Sequence, residues 1–210
     1  MLEICMQLEI IGILSLGFIL GLKHALDADH LIAVTAMVSN KKSLVGSSLV
    51  GASWGLGHTI SLLCIGLIVI VLDIHIPKEA AIIFESCVAI MLIMLGAQLV
   101  RKLYRGEILH IHENKGHKHS LLIGMIHGIA GSAALMLLIL TTIDIHYVQI
   151  LYITIFGIGS IIGMMLMSTL IGLPFMVAMN QSLETHKLIR GIAGLTSIGF
   201  GLYMVYYLWK

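Results

Sequence analysis

Short polar stretches cut the chain into six apolar ones, residues 8–38, 44–72, 80–104, 121–142, 147–175 and 188–209. Each is long enough to cross the hydrocarbon core of a bilayer, which takes roughly 17–25 apolar residues as a helix. In lipid a spanning segment has to satisfy its own backbone donors and acceptors, and a helix does so within one segment. Composition agrees: 59% of the residues are hydrophobic and 11% charged, against about 25% charged in soluble domains, and the mean hydropathy is +1.04. The expected fold class is an all-α integral membrane protein with six transmembrane helices and no sizeable soluble domain. A net charge of +1 points to no nucleic-acid partner. Cys5, Cys64 and Cys87 are too scattered for a disulfide framework or a CxxC site. The run near Leu8 has no basic stretch before it and no small-residue cleavage site after it, so it is expected to be a membrane segment rather than a signal peptide.

The first stretch is too long for one straight span, and KHALDADH lies in its middle, so its helix is expected to be broken or bent there. Lys23, His24, Asp27, Asp29 and His30 would each cost roughly 2.5–3.5 kcal/mol or more if left facing lipid. Residues of this kind mark a functional site. On an ideal helix, His24, Asp27 and His30 share one face at i, i+3 spacing, and Asp29 joins them only if the backbone unwinds. Two imidazoles with one or two carboxylates form a donor set for nickel, cobalt, zinc or copper rather than magnesium or calcium. The bland alternative is that Lys23 neutralises Asp27, Asp29 caps a half-helix and the histidines bond backbone carbonyls.

Lysine and arginine gather on one side, at Lys41, Lys42, Arg101, Lys102, Arg105, Lys115, Lys118, Lys187 and Arg190, with only Lys78 and Lys210 on the other. The richer side is expected to be cytoplasmic and both termini outside. GLKHALDADHL (21–31) aligns with GMIHGIAGSAAL (124–135), WGLGHTI (54–60) with FGIGSII (156–162), and MLGAQLV (94–100) with GFGLYMV (199–205). All three offsets are near 100 residues. The chain therefore divides into a first three-helix repeat (1–109), a His-rich cytoplasmic linker (110–119) and a second three-helix repeat (120–210). An odd number of spans per repeat inverts the second copy, and a 3+3 inverted repeat is a transporter arrangement with its site near the midplane.

His127 falls opposite His24 in this alignment, and His58 follows two glycines in GLGHT, so both join the candidate metal set of His24, Asp27, Asp29, His30, His58 and His127. Ser132 and Ser160 stand where the first half has Asp29 and His58, so the site is expected to be asymmetric. His110, His112, His117 and His119 at i+2 spacing could chelate metal transiently. Met164, Met165 and Met167 do not share a helix face and read as lipid-facing or packing residues, and Glu85 reads as interfacial. No nucleotide-binding loop, GxSxG elbow or HExxH is present, so neither ATP-driven pumping within this chain nor the common hydrolase templates are indicated.

GLKHALDADHLIAVT (21–35) resembles the His-x4-Asp-His signature of the nickel/cobalt transporter family, and WGLGHTISLL (54–63) resembles its second, GHS/T-type motif. The resemblance implies a secondary transporter of Ni(II) or Co(II), with the ion as substrate, no cofactor and no enzymatic activity. It implies that His24, Asp27, Asp29, His30 and His58 select the metal. Lys23 and Thr35 depart from the arginine and the acidic residue common in that family, and its members usually have more spans. The chain thus looks like the short, urease-accessory-type membrane branch, in a bacterial plasma membrane, with nickel-enzyme maturation proteins as cytoplasmic partners. Two rival readings stand beside it: an intramembrane zinc-dependent hydrolase using the same His/Asp set, and a metal-sensing accessory protein working through the His-rich linker.

Overall fold

A computed structural model describes residues 2–72, 77–105, 116–129, 143 and 145–210. The described residues form seven helices and no strand: α1 (Leu2–His24), α2 (Ala28–Val38), α3 (Leu44–Leu72), α4 (Lys78–Tyr104), α5 (Gly116–Ile129), α6 (His146–Gln181) and α7 (Leu183–Leu208). Five of these, including Met6–His24 within α1, are long and apolar enough to cross a membrane, which fits a multi-pass membrane protein. The long first stretch is two helices, α1 and α2. Of the fourth stretch, the part within α5 is described and residues 130–142 lie outside the described residues.

The break after α1 has a local cause. Leu26 and Asp27 donate their backbone N–H groups to the carbonyls of Lys23 and His24, closing the end of α1. Asp27 is then extended, at φ −61° and ψ 144°, and becomes the residue from which α2 starts. The Asp29 carboxylate accepts the His30 N–H at 2.9 Å, satisfying one of the four donors that a helix start leaves unpaired. Polar side chains thus make an interruption tolerable at membrane depth.

The helices pack in close pairs: α3 against α5 and α6, α1 against α6, and α4 against α7, while α2 is wedged among α3, α4, α6 and α7. Glycines set these approaches. Gly21 lies on the Phe156 carbonyl and Gly124 on the Trp54 carbonyl; Gly57 lies on the Leu121 carbonyl and Gly159 on that of Phe18. Contacts run in register along each pair. Gly17 meets Tyr152 and Gly163 meets Ala25, so α1 and α6 are parallel. Gly51 meets Ser168 and Gly66 meets Ile153, so α3 and α6 are antiparallel, while Gly57 and Gly128 against Leu121 and Ser61 make α3 and α5 parallel. Short hydroxyls add hydrogen bonds between helices: Ser61 Oγ donates to the Met125 carbonyl at 2.8 Å and Ser197 Oγ to that of Leu92 at 2.8 Å.

Large apolar side chains such as Ile19, Leu67, Ile90, Leu166 and Leu195 face outward, whereas His24, His30, His58, His127, His186 and Arg190 are buried. That inversion of the soluble pattern suits a lipid surround. Met164 is fully buried, in keeping with a packing role. Arg190, counted above toward orientation, is also fully buried.

A methyl group on Gly124 would collide with the Trp54 backbone, whereas one on Gly199 would meet no atom within 4 Å. Gly124→Ala is therefore expected to destabilise by about 1–3 kcal/mol through overpacking, and Gly199→Ala to be neutral or to gain up to about 1 kcal/mol. Thermal unfolding of the detergent-solubilised chain compares the two, and equal losses would contradict this account of helix approach.

Candidate metal site

His24 is the last residue of α1 and His30 sits in the first turn of α2, so the break folds the two imidazoles against each other, with ring centroids 4.4 Å apart. The Gly124 and Gly57 crossings hold α5 and α3 close enough for two more histidines to reach the same point. His58 of α3 lies 5.1 Å from both His24 and His30, and His127 of α5 lies 4.2 Å from His30, centroid to centroid. All four are buried: His24 is 6% exposed and the others 0%.

The nitrogens converge. His24 Nε2 and His58 Nε2 are 3.1 Å apart, while His30 Nε2, His58 Nδ1 and His127 Nδ1 are buried with no hydrogen-bond partner among the described residues. Imidazole nitrogens about 2.1 Å from one ion sit roughly 3.0–3.4 Å apart, from right-angled to tetrahedral geometry. The remaining nitrogens are held by carboxylates. His24 Nδ1 is 2.9 Å from Asp27 Oδ2, and His30 Nδ1 is 3.0 Å from Asp29 Oδ1. Asp29 Oδ2 is 2.8 Å from His127 Nε2, so one carboxylate links α2 to α5. Carboxylates behind metal-facing imidazoles fix ring orientation and raise donor strength.

Two donor groups result, each with one ligand atom per residue and all three atoms within 4.8 Å of one another: His24, His30 and His58, and Asp29, His30 and His127. Either suits a borderline transition metal. The α1 C-terminus and the α2 N-terminus meet here, and the His30 N–H in the first turn of α2 bonds Asp29.

All six expected residues are brought together, in an arrangement that differs from one helical face. Since the backbone unwinds at residues 25–27, Asp27 backs His24, with its side chain 46% exposed, and Asp29, at 17%, reaches the second donor group. Asp27 pairs with His24 and not with Lys23. Asp29 does bond the start of α2, as the bland reading supposed, and engages two histidines besides. His117 and His119 lie in the first turn of α5, away from the cluster, and His110, His112 and Ser132 fall outside the described residues. Ser160 is buried in α6, with Gly21 packed beside it. Glu85 is half-buried on α4.

Two neighbours were not anticipated. Trp54 lies 5.3 Å from His30 and 5.6 Å from His127, and Phe156 lies 5.5 Å from His24, centroid to centroid. A signal for Trp54 existed, since it is four residues before His58 and so on the same face of α3.

No family model and no solved structure matches the chain. The urease accessory protein UreH of Bacillus sp. (strain TB-90) is 38% identical over 213 residues, covering 95% of this chain and 93% of the relative. At that identity over nearly the whole length of both proteins, the chain belongs to the family of the urease accessory protein UreH.

Proposed function

We propose that the chain is a secondary transporter of Ni(II), able to take Co(II) through the same donors, in a bacterial plasma membrane. The observation that carries this reading is the convergence of His24 Nε2 and His58 Nε2, 3.1 Å apart, beside an unpartnered His30 Nε2 in a water-excluded interior. A buried donor or acceptor without a partner costs about 1–3 kcal/mol, and an ion bound by His30 Nε2 offsets that cost there. The relative's association with urease, a nickel enzyme, favours nickel among the metals that this donor set accepts.

Carriage rather than fixed binding is supported by the pairing of contacts. Gly21 on Phe156 and Gly124 on Trp54 are the same contact shifted by about 100 residues, with the two halves exchanging roles, and so are Gly57 on Leu121 and Gly159 on Phe18. In the reading of two repeats, 1–109 and 120–210, α1 corresponds to α5, α3 to α6 and α4 to α7. The helix directions found above make α1 and α5 run oppositely, as inversion requires. A site where two inverted halves meet suits alternating access. The ion would shed water to His24, His30 and His58, with Asp27 and Asp29 behind them. The basic ends of α4 and α5 would face the cytoplasm and nickel-enzyme maturation proteins, with both termini outside.

Uptake of radioactive nickel into proteoliposomes containing the purified chain tests the reading. Time-dependent accumulation is expected, lost by more than tenfold in His24→Ala; stoichiometric binding of nickel or zinc without flux would instead favour a fixed-metal enzyme or a sensor. Asp27→Asn keeps His24 but removes the carboxylate behind it, so nickel affinity is expected to fall roughly 10–100-fold. Equilibrium dialysis checks this, and unchanged affinity would remove Asp27 from the site.

A further inference from the structure

His30 belongs to both donor groups, and its two ring nitrogens stand in different surroundings. Its Nδ1 points to Asp29 Oδ1, whereas its Nε2 is buried and unpartnered. We propose that the transported ion occupies two adjacent positions in turn, one among His24, His30 and His58 and one among Asp29, His30 and His127, with His30 retained as the shared ligand. The use of these positions in transport rests on the reading above; their existence as two binding modes does not.

The first position adjoins Asp27, whose side chain is 46% exposed, but its own three donors are buried, whereas in the second Asp29 is 17% exposed. In the second, His127 is fully buried and Trp54 packs against both His30 and His127. Proton accounts balance without a net change. With the ion on His30 Nε2, the Nδ1 proton is donated to Asp29. With the ion in the second position, His30 binds through Nδ1 and carries its proton on Nε2, while His127 binds through Nε2 and carries its proton on the now unpartnered Nδ1. His30 exchanges ion and proton between its two nitrogens, His127 moves its proton from Nε2 to Nδ1 as the ion takes Nε2, and both remain neutral. Two ions at once would need His30 as a bridging imidazolate, so one ion per chain is required.

The second position also differs chemically from the first. It replaces one imidazole by a carboxylate, so a Co(II) probe reads a nitrogen-only site in one case and a mixed nitrogen and oxygen site in the other. Their visible absorption bands should differ in position and intensity.

The experiment is Co(II) titration of the purified full-length chain in detergent, read by visible absorption and metal content, with nickel uptake in parallel. Wild type is expected to bind one ion. His58→Ala should still bind one ion, with an altered band and at least tenfold weaker affinity. His127→Ala should bind one ion with the nitrogen-only band, and both variants should lose nickel uptake by more than tenfold. Asp29→Asn keeps an acceptor for the His30 Nδ1 proton, so adding it should shift the band of His58→Ala and leave that of His127→Ala unchanged. The proposal is overturned if His58→Ala and His127→Ala, each monodisperse on gel filtration, both lose binding altogether, as members of a single site would. It is equally overturned if His127→Ala transports within twofold of wild type, or if Asp29→Asn shifts both bands alike. A wild type that binds without flux defeats the transport reading, while the binding comparison still decides between one position and two.

Discussion

Four imidazoles share a space that neither water nor lipid can hydrogen-bond, and that shortage of partners governs the centre of the molecule. His30, His58 and His127 are fully buried and each keeps one ring nitrogen unpartnered among the described residues. In a soluble core such groups would be moved to the surface or given backbone carbonyls. Here the backbone carbonyls of α3 and α5 are consumed by their own helices, because a spanning segment has no other way to satisfy them. The carboxylates of Asp27 and Asp29 take up three of the remaining nitrogens, and both are available only because the first span is interrupted between His24 and Ala28. Break and site are one feature: without the interruption Asp29 would point away from the cluster, and without the histidines the interruption would leave polar groups exposed at membrane depth.

Glycine makes the rest of the bundle fit around this centre. Lipid-facing helices gain nothing from burying leucine against leucine, so close backbone approach, with the dispersion it brings, holds them together. Gly21 and Gly159 bring α1 onto α6, and Gly57 and Gly124 bring α3 onto α5, each where a larger residue would strike a carbonyl. These crossings lie within a turn or so of His24, His58 and His127. Packing and chemistry are therefore coupled: a shift of α5 relative to α3 moves His127 relative to His58, and Asp29 transmits it to α2.

Much of this was legible in the residues. Membrane class followed from the spacing of apolar runs, and the position of the break followed from a first run too long for one span with KHALDADH inside it. His58 and His127 were legible through GLGHT and through the alignment of the two halves. The roles within KHALDADH were not. Ideal helical spacing put Asp27 beside the histidines and Asp29 elsewhere, whereas two residues of unwound backbone exchange their places. A period of 3.6 describes side chains only while the helix continues, and nothing in the spacing says how a broken helix resumes. The burial of Arg190 was not legible for a related reason: spacing places it near a span end and says nothing of which way its side chain turns.

The asymmetry between the halves bears on how such a centre could work. On the proposed two-repeat reading His24 aligns with His127 and His58 with Ser160, so the first half would supply most of the donors and the second a single imidazole, the one tied to Asp29. A site built equally from two inverted halves would hold its ion with equal strength whichever way it opened. Placing three imidazoles on α1, α2 and α3, and one on α5, means that relative movement of the halves alters the donor set itself. His30, on the short helix α2, belongs to both donor groups, and Asp29 beside it belongs to the one that includes His127. Movement of α2 or α5 would therefore change which atoms face the ion, which gives a conformational change the differential affinity it needs in order to move a bound ion.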